Sequence, residues 1–323
     1  MSERSERPRD DGLSDYRLGV DVGGTKCLGV VIDDDGEIVA SDRRPTPKGG
    51  EQLVGTVVEL ATELGASVPE VVSIGVGLPG SITVEGVLTS SPHLPGVVQF
   101  DAAGLLSERL GRTVKVTNDA SCAALAEMRV GAGRGVDDLI MITLGTGIGG
   151  GVIAGGRLLL GAHGYLGEFG HMMIDPDGPV CPCGKRGCWE RYASGSAIAL
   201  EAKRLAIYEG RLEAVAATAG SVVDITAEDI VAAAIDGDAD AIHVLGHFAR
   251  WMAVGLGSLT MAFDPAMFVI GGGLSRAAAV YEDVLRERFA EAVYASDLRP
   301  LPVLSFAVLG ESAGAVGAAL YGA

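Results

Sequence analysis

Apolar positions along this chain follow two rhythms: short continuous runs that stop at glycine, and longer stretches spaced at helical intervals. The segment from Arg17 to Val22 predicts a strand, followed by a turn at Gly23-Gly24-Thr25-Lys26 and a second strand over Leu28 to Ile32. Asp33-Asp34-Asp35-Gly36 is turn chemistry and leads into a third strand over Glu37 to Ala40. Leu53, Val57, Leu60, Ala61 and Leu64 fall on one face of a helix over 51–65. Val71 to Val76 predicts a buried strand ending at Gly77-Leu78-Pro79-Gly80. Thr113 to Val116 predicts another, running through Thr117-Asn118-Asp119 into a small-residue helix over 120–129.

The opening pattern then returns. Leu139 to Leu144 predicts a strand, Gly145-Thr146-Gly147 a turn, Gly149 to Ile153 a second strand, and Arg157 to Leu160 a third after the turn at Gly155-Gly156. A repeat at so long an interval points to two related α/β lobes with a ligand cleft between them, not to a solenoid of short units. The second half is richer in helix, over 189–206, 226–236, 239–262 and 277–292. A strand from Met267 to Ile270 ends in Gly271-Gly272-Gly273, and a small-residue helix covers 312–321.

Composition narrows the function classes. The 323 residues suffice for about two domains. The 48 glycines show no collagen-like period and cluster after apolar runs, where phosphate-binding turns sit. A net charge of −17 repels nucleic-acid phosphates, so no nucleic-acid partner is expected; its simplest role is solubility. The polar stretch over 1–15 is expected to be a disordered tail, neither signal peptide nor anchor, and no apolar run is long enough for a membrane span. Five cysteines, three of them within eight residues, suggest a metal cluster in a reducing, cytoplasmic compartment.

Three constellations carry chemistry. In the first, Asp21 precedes Gly23, Gly24, Thr25 and Lys26. Glycines allow close backbone approach to a phosphate, Thr25 and Lys26 add donors, and Asp21 can hold Mg²⁺ through water. This is not a Walker A loop, which needs different spacing. Together with Gly145, Thr146 and Gly147 it makes two opposed Gly/Thr turns suited to holding a triphosphate from both sides, although two ordinary hairpins would also explain the glycines. In the second, Asn118-Asp119 lies between strand and helix. Asp119 reads either as a helix N-cap or as a carboxylate that accepts a hydroxyl proton during phosphoryl transfer. In the third, His171 with Cys181, Cys183 and Cys188 supplies one imidazole and three thiolates, a full tetrahedral Zn²⁺ set without an open position and therefore structural. Glu168 and Glu190 flank this cluster and read either as acceptors for vicinal sugar hydroxyls or as surface acids.

These motifs together resemble the ROK family of sugar kinases and repressors, most of all its bacterial ATP-dependent glucokinase members. The shared residues are Asp21 to Lys26, Asn118-Asp119, the glycine-rich stretch from Leu144 through Gly161 to His171, Cys181 to Glu190, and Gly271 to Gly273, and the resemblance spans about 16–322. It implies an actin-like ATPase (ribonuclease H-like) fold, with a small lobe of 16–122 plus 309–323 and a large lobe of 123–308 carrying zinc. It implies transfer of the γ-phosphate of ATP to a hexose 6-hydroxyl, with Asp119 as base. Gly80, Asn118, Asp119, Glu168, His171 and Glu190 would bind sugar, and Gly271, Gly272 and Gly273 would line the adenosine pocket. A homodimer or homotetramer is implied too. The chain departs from the pattern at Pro92-His93-Leu94, where many glucokinase-type members have a sugar-contacting Asn in place of His93. Kinases for N-acetylglucosamine, N-acetylmannosamine, mannose or fructose are therefore alternatives, as is polyphosphate as donor. A sugar-responsive repressor of the same family would need a DNA-binding domain, for which 20 residues before Asp21 are too few.

Overall fold

The computed structural model describes residues 15–323 apart from 92 and 95. Of the tail expected over 1–15, residues 1–14 lie outside the described residues, as does Pro92. Asp15 is described, and its amide donates to Asp34.

The first half forms β1 (Tyr16–Val22), β2 (Lys26–Ile32), β3 (Ile38–Pro45), α1 (Gly50–Gly65), β4 (Val71–Leu78), β5 (Ser81–Ile82), β6 (Val87–Ser90), β7 (Phe100–Asp101), α2 (Ala102–Leu110), β8 (Val114–Asn118) and α3 (Asp119–Val130). The second half forms β9 (Leu139–Leu144), β10 (Ile148–Ala154), β11 (Arg157–Leu159), α4 (Gly195–Glu209), α5 (Glu213–Ala219), α6 (Ala227–Ile235), α7 (Ala239–Phe263), β12 (Met267–Gly271), α8 (Glu282–Ala292), β13 (Val303–Phe306) and α9 (Ala313–Gly322).

The repeat predicted from the strand pattern extends further than three strands. One sheet has the order β3-β2-β1-β4-β8 and the other β11-β10-β9-β12-β13, so each is an antiparallel meander of three strands extended by two parallel ones. All four parallel connections contain helix, the usual form of such crossovers. A small third sheet, β5-β6-β7, extends from the end of β4.

Each sheet is covered by a helix that follows the other. Helix α3 leaves β8 of the first sheet and packs on β9 and β10 of the second, whereas α9 comes after β13 and packs on β1 and β4. The approach of α9 is close because Gly19 and Gly75 face its backbone; a side chain on either would collide with the carbonyls of Ala315 and Ala318. The two helices meet where Gly317 touches the Cys122 carbonyl. Glu127, fully buried on α3, fixes this junction by accepting from the amides of Ala132 (2.8 Å), Val308 (3.0 Å) and Leu309 (2.9 Å). Its carboxylate is thus satisfied by backbone donors, which a buried acid needs.

Two predicted helices begin later than their apolar spacing suggests. Trp189–Arg191 and Gly273–Val280 are 3-10 turns, so the helices proper start at Gly195 and Glu282. Ser194 caps the former by accepting from Ala197. The third strand runs on to Pro45, beyond the predicted Ala40, because polar Ser41 to Arg44 sit on an edge strand facing water. No helix among the described residues is long and apolar enough to cross a membrane.

Candidate active site

The ends of the parallel strands in both sheets converge on a cleft of about 730 Å³. β4 delivers Pro79, Gly80 and Ser81, β8 delivers Asn118 and Asp119, β9 delivers Gly145, Thr146 and Gly147, and β12 delivers Gly272. Ligands of α/β proteins bind at the carboxyl ends of strands, where connections diverge. Glu168, His171 and Glu190 complete the lining from the large connection between β11 and α4.

Asn118 and Asp119 divide the two roles the sequence left open. Asn118 is the N-cap of α3, its Oδ1 accepting from the amides of Ala120 (2.9 Å) and Ser121 (3.1 Å). Its Nδ2 donates to the Gly80 carbonyl at 3.0 Å, which leaves one amide hydrogen for a ligand. Gly80 has φ +111 and abuts Ser90, so only glycine suits this bend. Asp119, relieved of capping, is the first helical residue and accepts from the Ala120 amide at 2.8 Å. Dehydration, reinforced by the charge of Glu168, pushes its carboxyl up to about 6 against the lowering effect of that hydrogen bond.

Asp21 lies behind it. Its Oδ1 is buried without a hydrogen-bond partner, and the backbone of Gly314 on α9 closes over the carboxylate. Burial and the neighbouring Asp119 push Asp21 up to about 7, opposed by Lys26. A buried oxygen with no protein partner beside a second acid fits a divalent ion held through water.

The two Gly/Thr turns are placed unequally. Gly145, Thr146 and Gly147 line the cleft, and a Cβ on Gly147 would approach Glu190 Oε2 to 2.6 Å. Gly23, Gly24, Thr25 and Lys26 stand one layer back. His93, itself part of the cleft wall, lies over Gly24, with Nδ1 3.2 Å from where a Cβ would be, and Lys26 Nζ pairs with Glu311 at 2.6 Å. Gly271 and Gly273 flank Gly272 without lining the cleft.

His171, Cys181, Cys183 and Cys188 come together, their ligand atoms all within 4.8 Å of one another. Cys183 and Cys188 sulfurs are 3.6 Å apart and Cys181 Sγ is 3.8 Å from His171 Nδ1. A tetrahedral zinc with Zn–S bonds of about 2.3 Å has edges of about 3.8 Å, so the donor set and spacing fit Zn²⁺. Glu190 touches the cluster as well, with Oε1 3.1 Å from Cys181 Sγ and 3.7 Å from His171 Nδ1. The adjacent Trp189 is fully buried and donates to the Trp251 carbonyl at 2.8 Å, which ties this loop to α7.

Sequence reasoning missed Ser81 and Arg191 in the cleft wall. Ser81 follows the Pro-Gly end of a strand already recognised, a signal within reach. Arg191, whose buried Nε has no partner, is announced by nothing except its neighbour Glu190.

Residues 17–322 match the ROK family. The chain is similar to a glucokinase of Streptomyces coelicolor, 37% identical over 305 residues that cover 94% of this chain and 96% of the relative. A glucokinase of Thermotoga maritima is 35% identical over 309 residues, covering 94% and 95%. Among solved structures, a ROK family glucokinase from Streptomyces griseus in complex with glucose and AMPPNP has a TM-score of 0.83 at 36% identity, covering 95% of this chain and 99% of that one. With both sheets, the cleft and the cysteine loop inside the matched span, this chain belongs to the ROK family.

Proposed function

We propose that this protein is an ATP-dependent glucokinase that transfers the γ-phosphate of ATP to the 6-hydroxyl of glucose. The observation that carries the reading is Asp119: a dehydrated carboxylate, free of capping duty, in a cleft faced by polar sugar-type partners on one side and an open Gly/Thr turn on the other. The glucokinase relatives, matched over nearly their whole length, support the same chemistry.

In the reaction, the sugar oxygen forms a bond to the γ-phosphorus as the bond to the β-phosphate oxygen breaks and ADP leaves. Asp119 orients the hydroxyl and accepts its proton. With a pKa of about 6 it is largely ionised at neutral pH yet more basic than an ordinary aspartate. Asn118 donates its remaining amide hydrogen to the sugar, Glu168 and Glu190 accept from hydroxyl pairs, and His171 offers the ring nitrogen not turned towards the thiols. Gly80 contributes backbone. Gly145, Thr146 and Gly147, with Gly23 to Lys26, hold phosphates, and Gly271 to Gly273 border the adenosine. Asp21 would hold Mg²⁺ through water, and that ion, when bound, neutralises phosphate charge. Zinc on His171, Cys181, Cys183 and Cys188 holds the sugar-side loop in shape.

We further assign residues 16–122 with 309–323 to a small lobe and 123–308 to a large one, with closure between them excluding water. The reduced thiol cluster suits the cytoplasm. Leu200, Ile207 and Tyr208, exposed on one face of α4, offer apolar surface for a homo-oligomer.

His93 favours a second reading, a kinase for another hexose such as N-acetylmannosamine, because a bulkier ring occupies the place of the family's Asn. An assay of sugar phosphate formed over a panel of sugars, with ATP and with polyphosphate as donor, separates the two. Turnover with glucose at least tenfold above every other hexose is expected, and preference for an N-acetylated sugar would replace glucose in this assignment.

A further inference from the structure

Ser81 and Glu168 reach the cleft from two segments far apart in sequence, the small sheet after β4 and the connection after β11. Ser81 opens β5, directly after the end of β4, and its backbone is fixed twice: Gly80 accepts from Asn118 (3.0 Å) and Ser81 itself accepts from Thr89 Oγ1 (2.9 Å). Glu168 belongs to the connection after β11. Its neighbour Gly167 has φ +110 and packs on the Gly150 carbonyl of β10, which sets where the side chain starts. Between these two anchored backbones, Ser81 Oγ donates to Glu168 Oε1 at 3.2 Å. Close by, Gly164 of the same connection rests on the backbone of Ile82 and Thr83, so the two segments are already in contact.

We infer that Ser81 is a positioning residue: by donating to Glu168 it fixes that carboxylate for sugar recognition. A glutamate side chain has three torsions to freeze on binding a ligand. A hydroxyl already in place freezes them beforehand and still leaves Oε2 and the serine lone pairs for sugar hydroxyls. The inference rests on the reading of Glu168 as a sugar contact.

Steady-state kinetics of Ser81→Ala, Ser81→Thr, Glu168→Gln and the Ser81→Ala/Glu168→Gln double variant test it. Loss of a hydrogen bond to a charged group is expected to raise KM for the sugar about tenfold in Ser81→Ala. KM for ATP and Tm stay unchanged, kcat stays within about twofold, and Ser81→Thr restores most of the affinity. In the Glu168→Gln background the alanine change adds less than about twofold, since the two residues act as a pair. If Glu168→Gln raises sugar KM while Ser81→Ala does not, or if the effects multiply, the inference is overturned and the kinase reading stands. A Ser81→Ala variant that loses Tm or weakens ATP equally would reduce Ser81 to a structural role and overturn it too. Should Glu168→Gln leave sugar KM unchanged, the sugar-contact reading of Glu168 goes first and the inference with it.

Discussion

The two Gly/Thr turns look alike as text and differ as chemistry. Each joins the first two strands of an antiparallel meander, and each sits at the same point in the sheet order. The turn after β9 is open: nothing lies within 4 Å of a Cβ built on Gly145, and its three residues face the cleft. The turn after β1 is as exposed to solvent but stands outside the cleft lining. His93 covers Gly24, Glu311 holds Lys26, and the strand leading into it carries the buried Asp21 where β9 carries Thr143. The same hairpin occurs twice: one copy lines the cleft, and the other brings charged groups together. Function in such a fold is set by what surrounds a turn as much as by the turn itself.

The comparison can be broken most severely at the charged side. Asp119→Asn, which keeps shape and removes the base, is expected to lower kcat by about 10³-fold or more while sugar binding by calorimetry persists. The same variant should be more stable at neutral pH. The folded-state pKa of about 6 lies above the ordinary 3.8, so ionised Asp119 costs folding free energy above pH 6, and this cost vanishes below pH 3.8, where both states are protonated. A gain of about 3 kcal/mol at pH 8 that disappears at pH 3.5 is the expected signature in denaturant titrations. Wild-type turnover should correspondingly fall as pH drops through about 6. A variant that keeps near-normal kcat would remove Asp119 from the reaction.

Next in size is the zinc loop, which supports the open turn through Glu190. Cys183→Ala is expected to lose stoichiometric zinc in elemental analysis and about 3 kcal/mol or more of stability. Full zinc retention would exclude Cys183 from the ligand set. A smaller and more pointed test compares two alanines in one turn. Gly147→Ala would push on Glu190 Oε2, where the Cβ falls at 2.6 Å, and should raise sugar KM several-fold, whereas Gly145→Ala meets open space and should not. Equal effects would show that Glu190 yields freely. Smallest is Lys26→Met, which removes an exposed pair: Tm should move by no more than about 1 °C, with KM for ATP rising a few-fold. An unchanged KM for ATP would leave the turn after β1 with Asp21 as its only contribution.

How much of this was legible follows from how local each signal is. The meander strands, α1 and α7 were readable because their apolar periods span many residues. The sheet β5-β6-β7 was not, since strands of two to four residues such as Ser81–Ile82 carry no period. Helix α2 was missed despite its signals, the Asp101 cap and the left-handed Gly111, because a nine-residue helix with few apolar positions resembles a loop. Strand β13 pairs with β12 from more than thirty residues away, and only that pairing distinguishes its sequence from a linker. At the site, the clustering of His171 with Cys181, Cys183 and Cys188 was legible from spacing alone. Asp119 was ambiguous until Asn118 was seen to take the cap. The Ser81–Glu168 bond and the Lys26–Glu311 pair join residues distant in sequence, and no local pattern announces them.

The exchanged helices also dictate an order of events during synthesis. The first sheet is complete in sequence by Asn118, yet the helix that shields its Gly19 and Gly75 face is α9, made after every other element described. A nascent chain therefore carries an unshielded apolar sheet while the whole second half is translated, a long exposure to self-association. Glu127, waiting on α3 for the amides of Val308 and Leu309, marks the moment at which that exposure ends.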